Sequence, residues 1–188
     1  MPTLYVVAGP NGSGKSTLTR TARFHETEVI DPDAIARGMA SGTLVEAGRE
    51  AVRRRRAALA ADRAHLVETT LAGSGVILHM NAARTAGFRI ELHYVSLDSP
   101  DQTLLRIGTR VAQGGHDVPE HDVRRRFARS LANLPAAIAR ADEVHLYDNT
   151  DSDLPHREVA ILIADEWWTA EILPDWAAAV AGTPPPRG

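Results

Sequence analysis

The stretch Leu4-Tyr5-Val6-Val7-Ala8-Gly9-Pro10-Asn11-Gly12-Ser13-Gly14-Lys15-Ser16-Thr17 decides the fold. Its opening residues, Leu4 to Ala8, form an apolar run of strand length, and the remainder matches GxxxxGK[ST]. Glycines let the backbone curl so that successive N–H groups point inward, and a helix opening near Lys15 adds the positive end of its dipole. Phosphate oxygens fill such a nest. Lys15 then reaches the β- and γ-phosphates as a point charge, Ser16 offers its hydroxyl to Mg²⁺, and Thr17 adds a further hydroxyl. The candidate nucleotide-binding set is therefore Gly9, Pro10, Asn11, Gly12, Ser13, Gly14, Lys15, Ser16 and Thr17, with ATP and Mg²⁺ as the implied ligands. A glycine-rich strand-to-helix turn without ligand is the bland alternative; the strand before and the helical pattern after supply the context that phosphate binding requires.

Outward from this loop, apolar runs rich in β-branched residues alternate with helical patterns. Strands are predicted near 3–8, 27–31, 65–69, 88–97 and 143–148, and helices near 15–23, 45–63, 75–86, 100–113 and 120–140. That alternation predicts an α/β protein with a parallel five-stranded sheet and helices on both faces. The segment Glu158 to Ile163, followed by Trp167 to Leu173, fits either an added antiparallel hairpin or a short helix and strand. The residues from Gly182 to Gly188 include three consecutive prolines and read as a frayed tail. With 188 residues, one domain over 1–180 and a flexible tail over 181–188 are expected.

A net charge of −3 weighs against general attraction to nucleic acid. Without cysteine there is no disulfide, thiolate zinc site or cysteine nucleophile, and the eight histidines show no metal-ligand spacing. No apolar run approaches the ~18 residues of a membrane span, and the chain enters a strand at once, so a cytoplasmic location is expected.

Ligands of parallel sheets bind beyond the carboxyl ends of the strands, where three places stand out. In Ile30-Asp31-Pro32-Asp33-Ala34, two carboxylates follow the second strand. Transfer of a phosphoryl group to an alcohol needs one carboxylate that orients the hydroxyl and takes its proton, and Asp33 is the candidate base. Either aspartate could instead cap the helix starting near Ala34. In Val67-Glu68-Thr69-Thr70, Glu68 sits where an acid could hold Mg²⁺ through water or accept a hydrogen bond from a substrate hydroxyl; a turn stabilised by Thr69, Thr70 and Ser74 is the alternative. Around Gly114 and Gly115, two arginine-rich helical segments flank a loop that suits a lid, with Pro119 at the first position of the next helix. Arg106 and Arg110 share a face, whereas Arg124, Arg125 and Arg126 fan out, so at most two of those three touch phosphate. Arg124 and Asn149 are added to the nucleotide-binding candidates, Asn149 as a contact to base or ribose. The run Arg53 to Arg56 circles its helix and reads as mostly solvated, while Arg49 and Glu50 are candidates for the acceptor side.

Taken together, GPNGSGKST, IDPD with AIA, AGRE at 47–50, VETTLAG, LHYVSLDSP, RVAQGGHDVP, RRRF, SLANLP and LYDNT resemble the zeta toxin family of P-loop kinases, from residue 1 to about residue 150. The resemblance implies a nucleotide-kinase-like P-loop fold and phosphorylation of UDP-N-acetylglucosamine at the 3′-hydroxyl of the amino sugar, with ATP and Mg²⁺, under restraint by an antitoxin. It implies that Lys15 and Ser16 serve the nucleotide, that Asp33 is the general base, that Glu68 and Thr70 contact the sugar, that Arg110 clamps phosphate, and that Glu50 binds the sugar from a helix. The chain resembles a short, single-domain branch, with a GGH-containing lid. Two other classes remain open from the residues alone: a nucleotide-dependent switch acting through a partner, and a kinase of nucleic-acid ends.

Overall fold

Alternation along the first strand assigns the two faces of the sheet. In the computed structural model, which describes residues 1–24, 26–39, 43–112 and 118–182, β1 (Thr3–Ala8) turns Leu4, Val6 and Ala8 to one side and Tyr5 and Val7 to the other. Leu4, Val6, Val7 and Ala8 are completely buried, as expected for a strand covered on both faces. The remaining elements are α1 (Lys15–Leu18), β2 (Glu28–Ile30), α2 (Pro32–Gly38), α3 (Leu44–Ala60), β3 (His65–Thr69), α4 (Gly75–Thr85), β4 (Arg89–Ser96), α5 (Pro100–Ala112), α6 (Glu120–Ile138), β5 (Glu143–Asp148), β6 (Arg157–Ile163), β7 (Glu166–Thr169) and α7 (Asp175–Ala178).

The sheet order is β2-β3-β1-β4-β5-β6-β7. The first five strands in that order run parallel, as expected, and β6 and β7 extend the sheet antiparallel. The open choice for the C-terminal segment thus resolves to a hairpin. Its two turn residues, Ala164 (φ 51°) and Asp165 (φ 67°), are both left-handed, the backbone that a tight two-residue hairpin demands. Val76, Met80 and Ala83 of α4, with Leu134, Ala137 and Ile138 of α6 and Trp176 of α7, pack on the face carrying Leu4, Val6 and Ala8. On the other face Leu18 and Phe24 cover Val7, Leu66 and Val95, while Ile35 of α2 and Ala47 and Ala51 of α3 cover Ile30.

Three helices differ from expectation. The helix after the loop ends at Leu18 instead of running to 23, because Thr19 and Thr21 turn their hydroxyls back onto the carbonyls of Ser16 and Leu18. The helix expected from near Ala34, α2, begins at Pro32 and runs to Gly38, and Pro119 takes the N-cap of α6 in place of its first turn. No helix among the described residues is long and apolar enough to cross a membrane.

Candidate nucleotide and acceptor site

The loop after β1 is glycine-dependent at two points. Gly9 has φ 143° and a Cβ there would lie 1.9 Å from the carbonyl oxygen of Val95 on β4; Gly14 has φ 100° and a Cβ would lie 2.3 Å from Nδ2 of Asn149. The chain therefore passes hard against its neighbours where only glycine fits. Asn149 Nδ2 donates to the Ser13 carbonyl at 2.7 Å, and Asn149 Oδ1 accepts from the backbone N–H of His156 at 3.0 Å. His156 Nε2 lies 3.0 Å from the Gly14 carbonyl, so that nitrogen carries the proton and donates. Arg106 donates to the Asn149 carbonyl at 2.6 Å. The connection from β5 to β6 is thus a brace behind the loop. Asn149, expected to meet base or ribose, is buried with both ends of its amide engaged in this brace.

Lys15, the chain's only lysine, is buried and donates from Nζ to the Pro10 carbonyl at 2.8 Å. Ser16 donates to Glu68 Oε1 at 2.7 Å, and Thr19 to Oε2 at 3.4 Å. Because β3 pairs with β1 in the register Val7↔Glu68, the acid emerges beside the loop. Burial pushes the Glu68 carboxyl above its ordinary value, against the opposing pull of the Lys15 charge and the Ser16 hydroxyl. Asn11 Oδ1 and Ser13 Oγ in the loop are shielded from solvent and lack hydrogen-bond partners among the described residues; Asn11 lines the cavity beyond the loop, whereas Ser13 is fully buried. A serine hydroxyl beside a carboxylate is also a donor pair suited to Mg²⁺, an oxygen-seeking cation that keeps several waters and substrate oxygens of its own. Among the described residues no group of three or more Asp, Glu or His is placed to hold a metal by itself.

The two aspartates after β2 divide. Asp31 is buried and caps α2, accepting from the N–H groups of Asp33 at 2.9 Å and Ala34 at 3.0 Å. Pro32 opens the helix at a position where a missing N–H costs nothing. Asp33 is exposed on the first turn, and its carboxylate accepts no hydrogen bond among the described residues. It lines a cavity of about 620 Å³ that also takes in Lys15, Ser16, Glu68 and Thr70.

Arginines sort by helix phase. Arg106 of α5 and Arg126 of α6 line this cavity. Arg124, expected on the nucleotide, is not among the residues lining the cavity and pairs with Glu120 at 2.8 Å, an i,i+4 acid on its own helix, and with Asp101 at 2.6 Å. The side chain of Arg110 and residues 113–117, which include the expected lid glycines, lie outside the described residues. Arg49 and Glu50 line an adjoining groove of about 660 Å³ between α2 and α3 instead of the loop cavity. Arg53 and Arg54 both bond Glu50 at 2.7–2.8 Å and hold its carboxyl down to about 2. Arg55, passed over in the sequence as part of a solvated run, reaches the loop cavity. Its signal was present: it falls in register with Ala47, Ala51 and Ala58, the buried small residues of α3.

A parallel sheet ordered β2-β3-β1-β4-β5, a phosphate-type loop after the central strand and an acid ending the next one define a P-loop α/β protein with a kinase-like fold. Comparison with known proteins agrees, and the chain belongs to the family described as AAA domain, whose model matches residues 4–134. A protein of Haemophilus influenzae without assigned function is 34% identical over 123 residues, covering 63% of this chain and 88% of its own length. Among solved structures, AvrRxo1-ORF1:-ORF2 with ATP superposes with a TM-score of 0.69 at 17% identity, over 90% of this chain; the chain spans only 60% of that partner's length. The PezAT chromosomal toxin-antitoxin system of Streptococcus pneumoniae gives a TM-score of 0.66 at 17% identity, over 86% of this chain and 72% of the other. At such identities these two establish the fold. Asn149 and His156 lie beyond the segment that the family model covers.

Proposed function

We propose that this protein is an ATP-dependent kinase that transfers the γ-phosphoryl group to the hydroxyl of a small molecule, with residues 1–180 working as one unit. The observation that carries this reading is the placement of Asp33, a carboxylate with no hydrogen bond among the described residues, in the same cavity as Lys15, Ser16 and Glu68, while its neighbour Asp31 does the capping. A structural aspartate has no need of that position, whereas a general base does.

In the proposed step, Asp33 accepts the proton of the acceptor hydroxyl as its oxygen bonds to the γ-phosphorus, and the bond from that phosphorus to the β–γ bridging oxygen breaks to release ADP. Lys15 and the loop amides, with Arg106 and Arg126 on the far wall, hold the phosphate oxygens as their charge redistributes. Ser16 and Glu68 are the residues that would hold Mg²⁺, which when bound neutralises the β- and γ-oxygens. Thr70 stands at the acceptor side, and the Arg110 clamp remains part of the proposal on resemblance alone. The resemblance to zeta toxins makes UDP-N-acetylglucosamine the first acceptor to test. The PezAT toxin-antitoxin system among the structural neighbours supports a search for an antitoxin partner.

The decisive experiment follows ADP release with and without UDP-sugars, nucleosides and oligonucleotide 5′-ends, with product mass identifying the acceptor. Asp33→Asn is expected to keep ATP binding and lose transfer, and Lys15→Ala to lose both. Wild-type transfer by Asp33→Asn would remove the base assignment, and an absence of any acceptor that accelerates ADP release would favour a nucleotide switch.

A further inference from the structure

The cavity wall built by β3, α2 and α3 holds a cation that nucleotide binding does not require. The sheet order places β3, α2 and α3 on one side of β1 and β4, β5 and their helices on the other. Asp33, Glu68, Thr69, Thr70 and Arg55 come from the first side; Arg106 and Arg126 come from the second. Arg55 is half-buried, and its Nε is shielded from solvent with no hydrogen-bond partner among the described residues. Its neighbours in sequence are all differently disposed, since Arg53 and Arg54 bond Glu50 and Arg56 is exposed. The nearby imidazoles of His65 and His79, 2.9 Å apart, carry no negative charge and so supply no counter-charge. Burial lowers the affinity of the Arg55 guanidinium for its proton without approaching neutrality, so a charged donor stands in a partly dry wall, sharing the cavity with Asp33 and Glu68 but forming no ion pair among the described residues.

We infer that Arg55 is an acceptor-binding residue that grips an anionic group, and hence that the kinase's acceptor is an alcohol bearing its own phosphate or carboxylate. This rests on the kinase reading above. A guanidinium's planar fork matches either oxyanion, and a half-desolvated one discriminates strongly against a neutral analogue, because the neutral ligand would seal the donor off unpaired.

The test uses the full chain loaded with ADP and Mg²⁺, titrated calorimetrically with N-acetylglucosamine 1-phosphate, glucuronate and neutral N-acetylglucosamine. Wild type is expected to bind one of the two anionic probes at least about 10-fold more tightly than the neutral sugar, which also tells phosphate from carboxylate. Arg55→Gln is expected to erase that preference, Arg55→Lys to retain part of it, and Arg56→Gln to leave it intact, with ADP affinity equal in all four proteins. Equal affinity of wild type for charged and neutral probes, or an undiminished preference in Arg55→Gln, overturns the assignment. Should Arg55→Gln fail to fold, Arg55→Lys decides: a preference identical to wild type in strength counts against a fork-specific grip. Absence of ADP binding by wild type would sink the kinase reading itself, and this assignment with it.

Discussion

Two carboxylates that differ by two positions in sequence are expected to separate stability from activity. Replacing Asp31 by alanine removes two hydrogen bonds, of 2.9 and 3.0 Å, from the first turn of α2. Asp33 and Ala34, whose N–H groups are orphaned, are exposed, so water reaches them and the loss stays in the range of a lost cap, about 1–2 kcal/mol. The contact of Asp31 with Arg37 at 3.8 Å adds little, because Arg37 is well exposed, and losing a negative charge close to Glu68 gives a small gain in return. In a chain of this length that cost corresponds to a melting point lower by roughly 2–8 °C. Replacing Asp33 by alanine breaks no hydrogen bond among the described residues and should move the melting point by less than about 2 °C. Differential scanning fluorimetry of both variants, paired with acceptor-dependent ADP release, reads the two effects separately. Asp31→Ala should melt early and retain transfer, whereas Asp33→Ala should melt normally and lose it. Equal destabilisation by the two, or transfer lost in Asp31→Ala alone, would refute the division of labour.

Glu68 supplies a pH signature. A carboxyl whose folded value is raised favours the folded state at pH below its unfolded value and loses that contribution as pH rises through the folded one. Glu68→Gln should therefore gain thermal stability over wild type on passing from mildly acidic to neutral buffer without ligand, while losing Mg²⁺-dependent ATP affinity; a stability difference that does not vary with pH contradicts the assigned cause. Asn149→Ala leaves the Ser13 carbonyl and the His156 N–H unpaired in a buried place, at about 1–3 kcal/mol each, and should weaken ATP binding as well as lower the melting point. Calorimetric ATP affinity equal to wild type in that variant would show that the brace does not shape the loop.

The core strands were legible because β1 is a short, nearly continuous apolar run and β4 and β5 carry apolar residues interleaved with polar ones over a strand's length, and the loop because its glycines, lysine and serine have fixed spacing. The hairpin stayed ambiguous for a physical reason: Ala164-Asp165 adopts a left-handed pair without the Asn-Gly signal that normally announces it. Which aspartate caps and which stays open depended on the backbone of Asp31, which extends at φ −112° so that its side chain folds over the next turn. Arginine roles were the least legible. Consecutive arginines cover every direction around a helix, and only the buried stripes Ala47-Ala51-Ala58 and Val123-Phe127-Ser130 fix which of them turns inward. The brace was invisible because its partners are distant in sequence and three of its contacts are made by backbone carbonyls.

That distance has a consequence for biosynthesis. Ser13 meets Asn149 across 136 positions, and Gly14 meets His156 across 142. A nascent chain emerging amino-end first exposes its whole glycine-lysine signature long before the residues that clamp it have been made. Competence for nucleotide therefore arrives late, as an attribute of the finished polypeptide, and stalled or prematurely terminated chains are expected to leave the ribosome blind to ATP.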